Sequence, residues 1–200
     1  MKKYELTKET KVIGDKTFFR IRALRSFGDI KAGDLGGFIE NERNLSHGDN
    51  AWVGDNARVD GNAQVCGDAW VGGYARVSGY AQVGCYAQVG CYAQVSGYAQ
   101  VGGNAQVCGD AWVNGDARVN GDGLINSNND YLCEKGLGSH NRSASFFKCK
   151  DGHIHVLCGC FDGNLDEFEN KVKEEHGNSK YAKEYLGFIE VVKTHFEVRQ

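Results

Sequence analysis

The sequence predicts a mainly β protein: a parallel β-helix wound from six-residue repeats, with an N-terminal capping segment and a small C-terminal ββαα module. Three observations predict it. Alanine recurs at every sixth position from Ala51 to Ala117, and valine follows two places later each time, from Val53 to Val119. Glycine is abundant, at 28 residues, and proline is absent, so tight corners fall to Gly, Asn and Asp. The six-residue period stops near Asn126, and helix signals replace it.

Residues 1–49 read as a capping segment. "KTFFRIRAL", from Lys16 to Leu24, interleaves apolar and charged residues as a strand does, and "GDIKAGDLGGFIE", from Gly28 to Glu40, is rich in turn formers. Residues 50–127 are the repeat. An α-helix turns every 3.6 residues and cannot hold a strict six-residue stripe on one face. A short strand can: Ala and Val, two apart, point to one side and the residue between them to the other. The remaining three residues make a corner. Three strands and three corners close an 18-residue triangular coil. Twelve Ala-x-Val hexads and a worn thirteenth, Gly123-Leu124-Ile125, give a little over four coils. At about 4.8 Å between stacked strands the column is roughly 20 Å tall. Both of its ends expose unpaired backbone groups and need caps.

Positions 18 apart then share a face. The outward residues read Trp52, Trp70, Gln88, Gln106 on one face, Arg58, Arg76, Gln94, Trp112 on the next, and Gln64, Gln82, Gln100, Arg118 on the third. Outward tryptophans mark contact surfaces, with packing under the N-terminal cap as the alternative for Trp52 and Trp70. Five successive corners carry Tyr74, Tyr80, Tyr86, Tyr92 and Tyr98. With Gln82, Gln88, Gln94 and Gln100 they make a low-charge belt suited to association, and stacking down the corners is the plain structural reading. Cys66 with Cys85, and Cys91 with Cys108, fall on shared corners of adjacent coils with Cα atoms about 6 Å apart, within disulfide reach.

Residues 128–200 read as the ββαα module. "SFFKCKDGHIHVLCGCF", Ser145 to Phe161, is a hairpin turning at Asp151-Gly152. Asn164 with Glu167 three places on forms a capping box for a first helix that Gly177 ends. A second helix runs from about Lys180 to Phe196, with Tyr181, Tyr185, Phe188, Ile189 and Val192 on one side. Between the repeat and the hairpin lies "GLGSHNRS". Its Ser139, His140, Asn141 and Arg142 are the candidate ligand-binding residues, because an Arg beside freed backbone N–H groups suits phosphate or carboxylate.

Composition excludes several classes. A formal net charge of −3 gives no general grip on a nucleic acid backbone. No apolar run is long enough for a membrane span, and "MKKYELTKET" lacks the apolar core of a secretory signal, so a cytoplasmic protein is expected. The eight cysteines do not fall into paired C-x2-C sets, and Cys158-Gly159-Cys160 is only C-x-C. His153 and His155 near Cys158 and Cys160 read as a solvated strand face. Reduced thiols, no metal and no cofactor are expected.

The step from Val53 to Ala57, Val59 to Ala63, and on through every hexad resembles the hexapeptide-repeat superfamily. The resemblance implies a left-handed parallel β-helix and a homotrimer. The best-known enzymes of that class are acyltransferases with a histidine base at a trimer cleft, yet Asn50 to Asn126 holds no histidine and no lysine. Phe27-Gly28-Asp29, Lys31-Ala32-Gly33, Gly36-Gly37, Asn44-Leu45-Ser46 and the Trp52 entry further resemble the opening of YdcK-like proteins and of phage- and prophage-encoded relatives. The expected function is therefore a non-catalytic trimeric binding or scaffold protein of phage type, interfering with host defence by binding a host protein. The alternatives are a binder of a small anionic ligand, such as a nucleotide, at subunit interfaces, and an acyltransferase.

Overall fold

The computed structural model describes residues 2–197. Strands β1 (Tyr4–Ile13), β2 (Lys16–Ala23) and β3 (Leu35–Ile39) lead into thirteen two-residue strands among the described residues, β4 to β16. These begin at Trp52–Val53 and recur every six residues to Leu124–Ile125. They stack into three parallel faces, β4-β7-β10-β13-β16, β5-β8-β11-β14 and β6-β9-β12-β15. The result is a parallel β-solenoid of about five turns. The register is the one the hexads predict: Trp52 pairs with Trp70, Arg58 with Arg76 and Gln64 with Gln82. Each coil donates to the next at a fixed step, as in Trp70 N to Ala87 O and Gly72 N to Val89 O, both 2.9 Å. Every alanine and valine of the hexads is buried.

The N-terminal end is closed by strand pairing and by side chains. Strand β3 joins β5 in parallel, with Phe38 beside Arg58, so parallel pairing reaches upstream of the first Ala-x-Val hexad. The antiparallel hairpin β1–β2, the first strand of which the sequence reading did not pick out, extends the same sheet. Leu45 takes the place of a valine, pairing with Val65, and Asn44 Nδ2 donates to Ala63 O at 2.8 Å. Lys3 is fully buried; its ammonium donates to Ala51 O, Gly48 O and Asp49 O. Burial and the nearby Arg25 lower that ammonium to about 8. Gly36 and Gly37 let β3 close on the first coil, since a Cβ at Gly36 would lie 2.5 Å from Val53 O.

At the other end the chain forms η-turn residues Asn128–Asp130, then β17 (Tyr131–Leu137), β18 (Arg142–Lys148), β19 (Ile154–Cys158) and β20 (Phe161–Asn164). The expected hairpin is β18–β19, and two further strands flank it in a four-stranded antiparallel sheet. Helices α1 (Leu165–His176) and α2 (Lys180–His195) follow, the first with the expected Asn164–Glu167 capping box. Strand alternation splits this sheet between two cores. Phe147, Cys149 and Leu157 join the solenoid core, while Phe146, Val156 and Cys158 pack beneath the helices. Side chains satisfy the last coil's open donors: Asn128 Oδ1 accepts from Trp112 N and Ser145 Oγ from Arg118 N, both at 2.8 Å.

Asp130 anchors this junction, accepting from Asn126 N, Ser127 N and the Lys148 ammonium. Burial alone would raise its carboxyl, but Lys148 and the N–H donors outweigh burial and hold it below the usual carboxylate range. Its contribution is present above the ordinary carboxylate pKa and is lost as pH falls through the lowered folded value. Asp130→Asn therefore destabilises by about 1–3 kcal/mol at neutral pH. In urea titrations the gap to wild type closes in acid below about pH 4.

Corner glycines supply a second test. Gly115 (φ +65°) faces open space, and alanine there costs only left-handed strain, about 1–2 kcal/mol. Gly103 (φ +59°) would place a Cβ 2.5 Å from Gly121 N, so Gly103→Ala costs at least twice as much by urea denaturation. Equal costs for the two variants would contradict the observed stacking.

Candidate functional site

A cavity of about 390 Å³ lies between the C-terminal sheet and the two helices. Its rim carries Ser139, His140 and Arg142 from the loop between β17 and β18, facing Lys171, Glu175 and His176 of α1. Phe161, Phe168, Val172, Cys158, Cys160 and Tyr185 complete its lining. Three of the four residues singled out from the sequence thus meet at one place. The fourth does not: Asn141 is absent from the lining and serves the turn at φ +48°, donating its N–H to Gly138 O. Asn tolerates that left-handed position better than most residues.

Two glycines shape the site. A Cβ at Gly138 would run into the Tyr185 hydroxyl, and one at Gly159 into the Arg142 guanidinium. Both approaches are possible only without a side chain. The guanidinium consequently lies over the Cys158-Gly159-Cys160 turn. Among the described residues, no carboxylate pairs with Arg142 and no acceptor takes a hydrogen bond from its side chain. Lys171 is held by Glu175 at 3.0 Å, which raises its ammonium. His176 stacks on Tyr185 with centroids 5.6 Å apart, and Phe168 meets the same ring edge-on at 5.8 Å.

The helical half of the site was missed in the sequence. Phe168, Lys171, Val172, Glu175 and His176 fall on one stripe of α1 at i, i+3, i+4, i+7 and i+8. Its apolar members, Phe168 and Val172, are buried core residues, so an amphipathic pattern alone marks the stripe as packing.

Two potential nucleophiles facing the cavity are held in their neutral forms. Burial pushes the Cys158 thiol up. Burial, with Cys158 beside it, pushes the Tyr185 phenol up to about 12. Ser139 Oγ lies 2.9 Å from His140 Nδ1, but among the described residues no carboxylate orients that ring. The site can hold a ligand by charge and stacking; a nucleophile, base and orienter do not converge in it.

The solenoid surface divides the tryptophans between the two readings given for them. Trp52 is only 2% exposed and packs against Phe27, ring centroids 5.5 Å apart, so it is part of the cap and presents no interface. Trp70 and Trp112 stay partly exposed, at 40% and 49%. Tyr74 stacks on Tyr92 at 5.3 Å and Tyr80 on Tyr98 at 5.0 Å, nearly parallel, while Tyr86 stands apart. All five remain exposed, as do Gln82, Gln88 and Gln100, with Gln94 half-buried. All eight cysteines are free thiols. Burial raises Cys66, with Cys85 beside it, and Cys108, with Cys91 beside it, so each pair predicted to share a corner is adjacent but unbonded. No described helix is long and apolar enough to cross a membrane. Comparison with family models and with curated proteins returns no match.

Proposed function

We propose that this chain is a non-catalytic binding protein in which the β-solenoid is a rigid stalk and the C-terminal module takes a small anionic ligand. The observation that carries this reading is the unpaired Arg142 guanidinium at the rim of a cavity that His140, Lys171 and His176 also border. Arg142 and Lys171 beside Phe161, Phe168 and Tyr185 suit a phosphate joined to a planar ring, as in a nucleotide. Every residue lining the cavity comes from one chain, which supports a ligand held within the module.

The resemblance of the hexads to hexapeptide-repeat proteins supports a left-handed coil and a homotrimer, and the stacked Tyr belt with its neighbouring glutamines offers the low-charge surface an assembly needs. The resemblance of residues 27–59 to YdcK-like and phage-encoded proteins supports a phage-type role. In that role the chain captures a host ligand or a host protein and so interferes with host defence. The acyltransferase reading is disfavoured because the coils contain no histidine.

Thermal denaturation of the full chain with nucleoside mono-, di-, tri- and cyclic phosphates tests the ligand. A bound nucleotide at 100 times its Kd adds about 2.7 kcal/mol, a rise of about 5–10 °C for a chain of this size. The unphosphorylated nucleoside gives a much smaller rise. Arg142→Ala abolishes the shift, whereas Lys150→Ala, outside the cavity, keeps it. No shift with any phosphate, or a full shift in Arg142→Ala, overturns the proposal.

The assembly has its own measurement. Native mass spectrometry of wild type gives a trimer, and the double change Tyr80→Ser with Tyr98→Ser gives monomer without loss of the solenoid's circular dichroism. A wild-type monomer rejects the trimeric reading.

A further inference from the structure

A second cluster lies on the opposite face of the C-terminal sheet from the cavity. Cys149, His153 and His155 bracket the Asp151-Gly152 turn of the β18–β19 hairpin. Cys149 N donates to His153 O at 2.9 Å, so these two residues face each other across the turn. His155 is two residues further along and pairs with Phe147. Strand alternation puts all three side chains on one face and sends Cys158 to the other, beneath the helices. The histidines' partner is therefore Cys149, not the Cys158 and Cys160 that the linear sequence sets near them.

The ligand atoms converge. The Cys149 sulfur and one nitrogen of each ring lie within 4.8 Å of one another. His153 Nε2 and His155 Nδ1 are 3.4 Å apart. Two nitrogens bound to one tetrahedral zinc at about 2.0–2.1 Å are themselves about 3.4 Å apart. The far nitrogens are both held by carboxylates: His153 Nδ1 meets Asp151 at 2.5 Å and His155 Nε2 meets Asp162 at 2.7 Å. Carboxylates on the outer ring nitrogens are the arrangement that fixes the tautomer and aim of metal-binding histidines.

We propose that Cys149, His153 and His155 form a binding site for one borderline-soft divalent metal ion, of which Zn2+ is the foremost. One thiolate and two imidazoles match zinc, and three protein ligands leave a fourth position for water, on the side where His153 is exposed. The thiol loses its proton to solvent on binding. Cys149 is buried in the solenoid core, beside its bridge partner Gly123, and Lys150 N donates to Asp122 O. A metal here staples the two strands of the hairpin across its turn, beside the last coil. The site is independent of the anion cavity and of any reading of its function.

Co2+ titrated into the full-length, metal-free chain under reducing conditions is the test. The expected result is one Co2+ per chain, with a thiolate-to-cobalt charge-transfer band and tetrahedral d–d absorption, both abolished by competing Zn2+. Cys149→Ser removes the charge-transfer band, while Cys66→Ser with Cys85→Ser keeps it. His153→Ala, at an exposed position, weakens Zn2+ binding at least tenfold, and Asp151→Asn weakens it about tenfold through the tautomer of His153. Should Cys149→Ser fail to fold, His153→Ala decides alone. The proposal is overturned by wild type without a thiolate band, by a band lost with Cys66 and Cys85 instead of Cys149, or by unchanged Zn2+ affinity in His153→Ala.

Discussion

The structure depends on one repeated backbone contact, the N–H of one coil donating to the carbonyl 17 residues later. Trp52 N to Ala69 O, Trp70 N to Ala87 O and Gln88 N to Ala105 O are successive rungs of it, each 2.9 Å. A rung can form only if every coil has the same length, so a single inserted residue would shift all the inward side chains to the wrong side. The strict hexad is the sequence form of that constraint. Valine fills the interior between adjacent coils, and alanine, also wholly buried, fits where a larger side chain has no space. The outward residue is released from packing, which is why it drifts among Trp, Arg and Gln while its neighbours do not.

A ladder of this kind has no natural end, and the two termini solve that differently. The N-terminal segment continues the sheet with β3 and the β1–β2 hairpin, then plugs the opening with Trp52, Tyr4, Leu45 and the Lys3 ammonium. The C-terminal segment substitutes side-chain acceptors, Asn128 and Ser145, for the carbonyls that a further coil would have presented. It then covers the column with one face of an antiparallel sheet. A buried polar group left unmatched costs far more than a matched one gains, so both ends are rich in such specific pairings.

That sheet is also where chemistry concentrates. Its helix-facing side borders the cavity rimmed by Arg142, and its solenoid-facing side carries the Cys149, His153 and His155 cluster. The coils themselves supply surface: aligned tyrosines, glutamines and two half-exposed tryptophans. In the proposed reading, stalk and module divide the work as stiffness and recognition. Arg142, without a carboxylate partner among the described residues, stands at the rim of that cavity.

The amino-acid sequence by itself determined the solenoid, its three faces, the 18-residue partners and the corner tyrosine stacks. Each of these follows from local periodicity, because neighbours in space are neighbours at a fixed chain interval. It also determined the capping box of α1 and the turn of the β18–β19 hairpin, which are local hydrogen-bonding patterns. Only the tertiary structure decided what lies far apart in sequence. Trp52 reads as outward by parity, yet Phe27 arrives from 25 residues upstream and buries it. Arg142 reads as a loop cation, yet the residues that face it across the cavity, Lys171 and His176, come from a helix folded back across the sheet. Cys149 had only its spacing to two histidines to offer, and the proposed metal site needed the pairing register of two strands before three side chains met at one place. Repeats fix contacts at constant separation; sites are built from contacts at separations that nothing in the local pattern specifies.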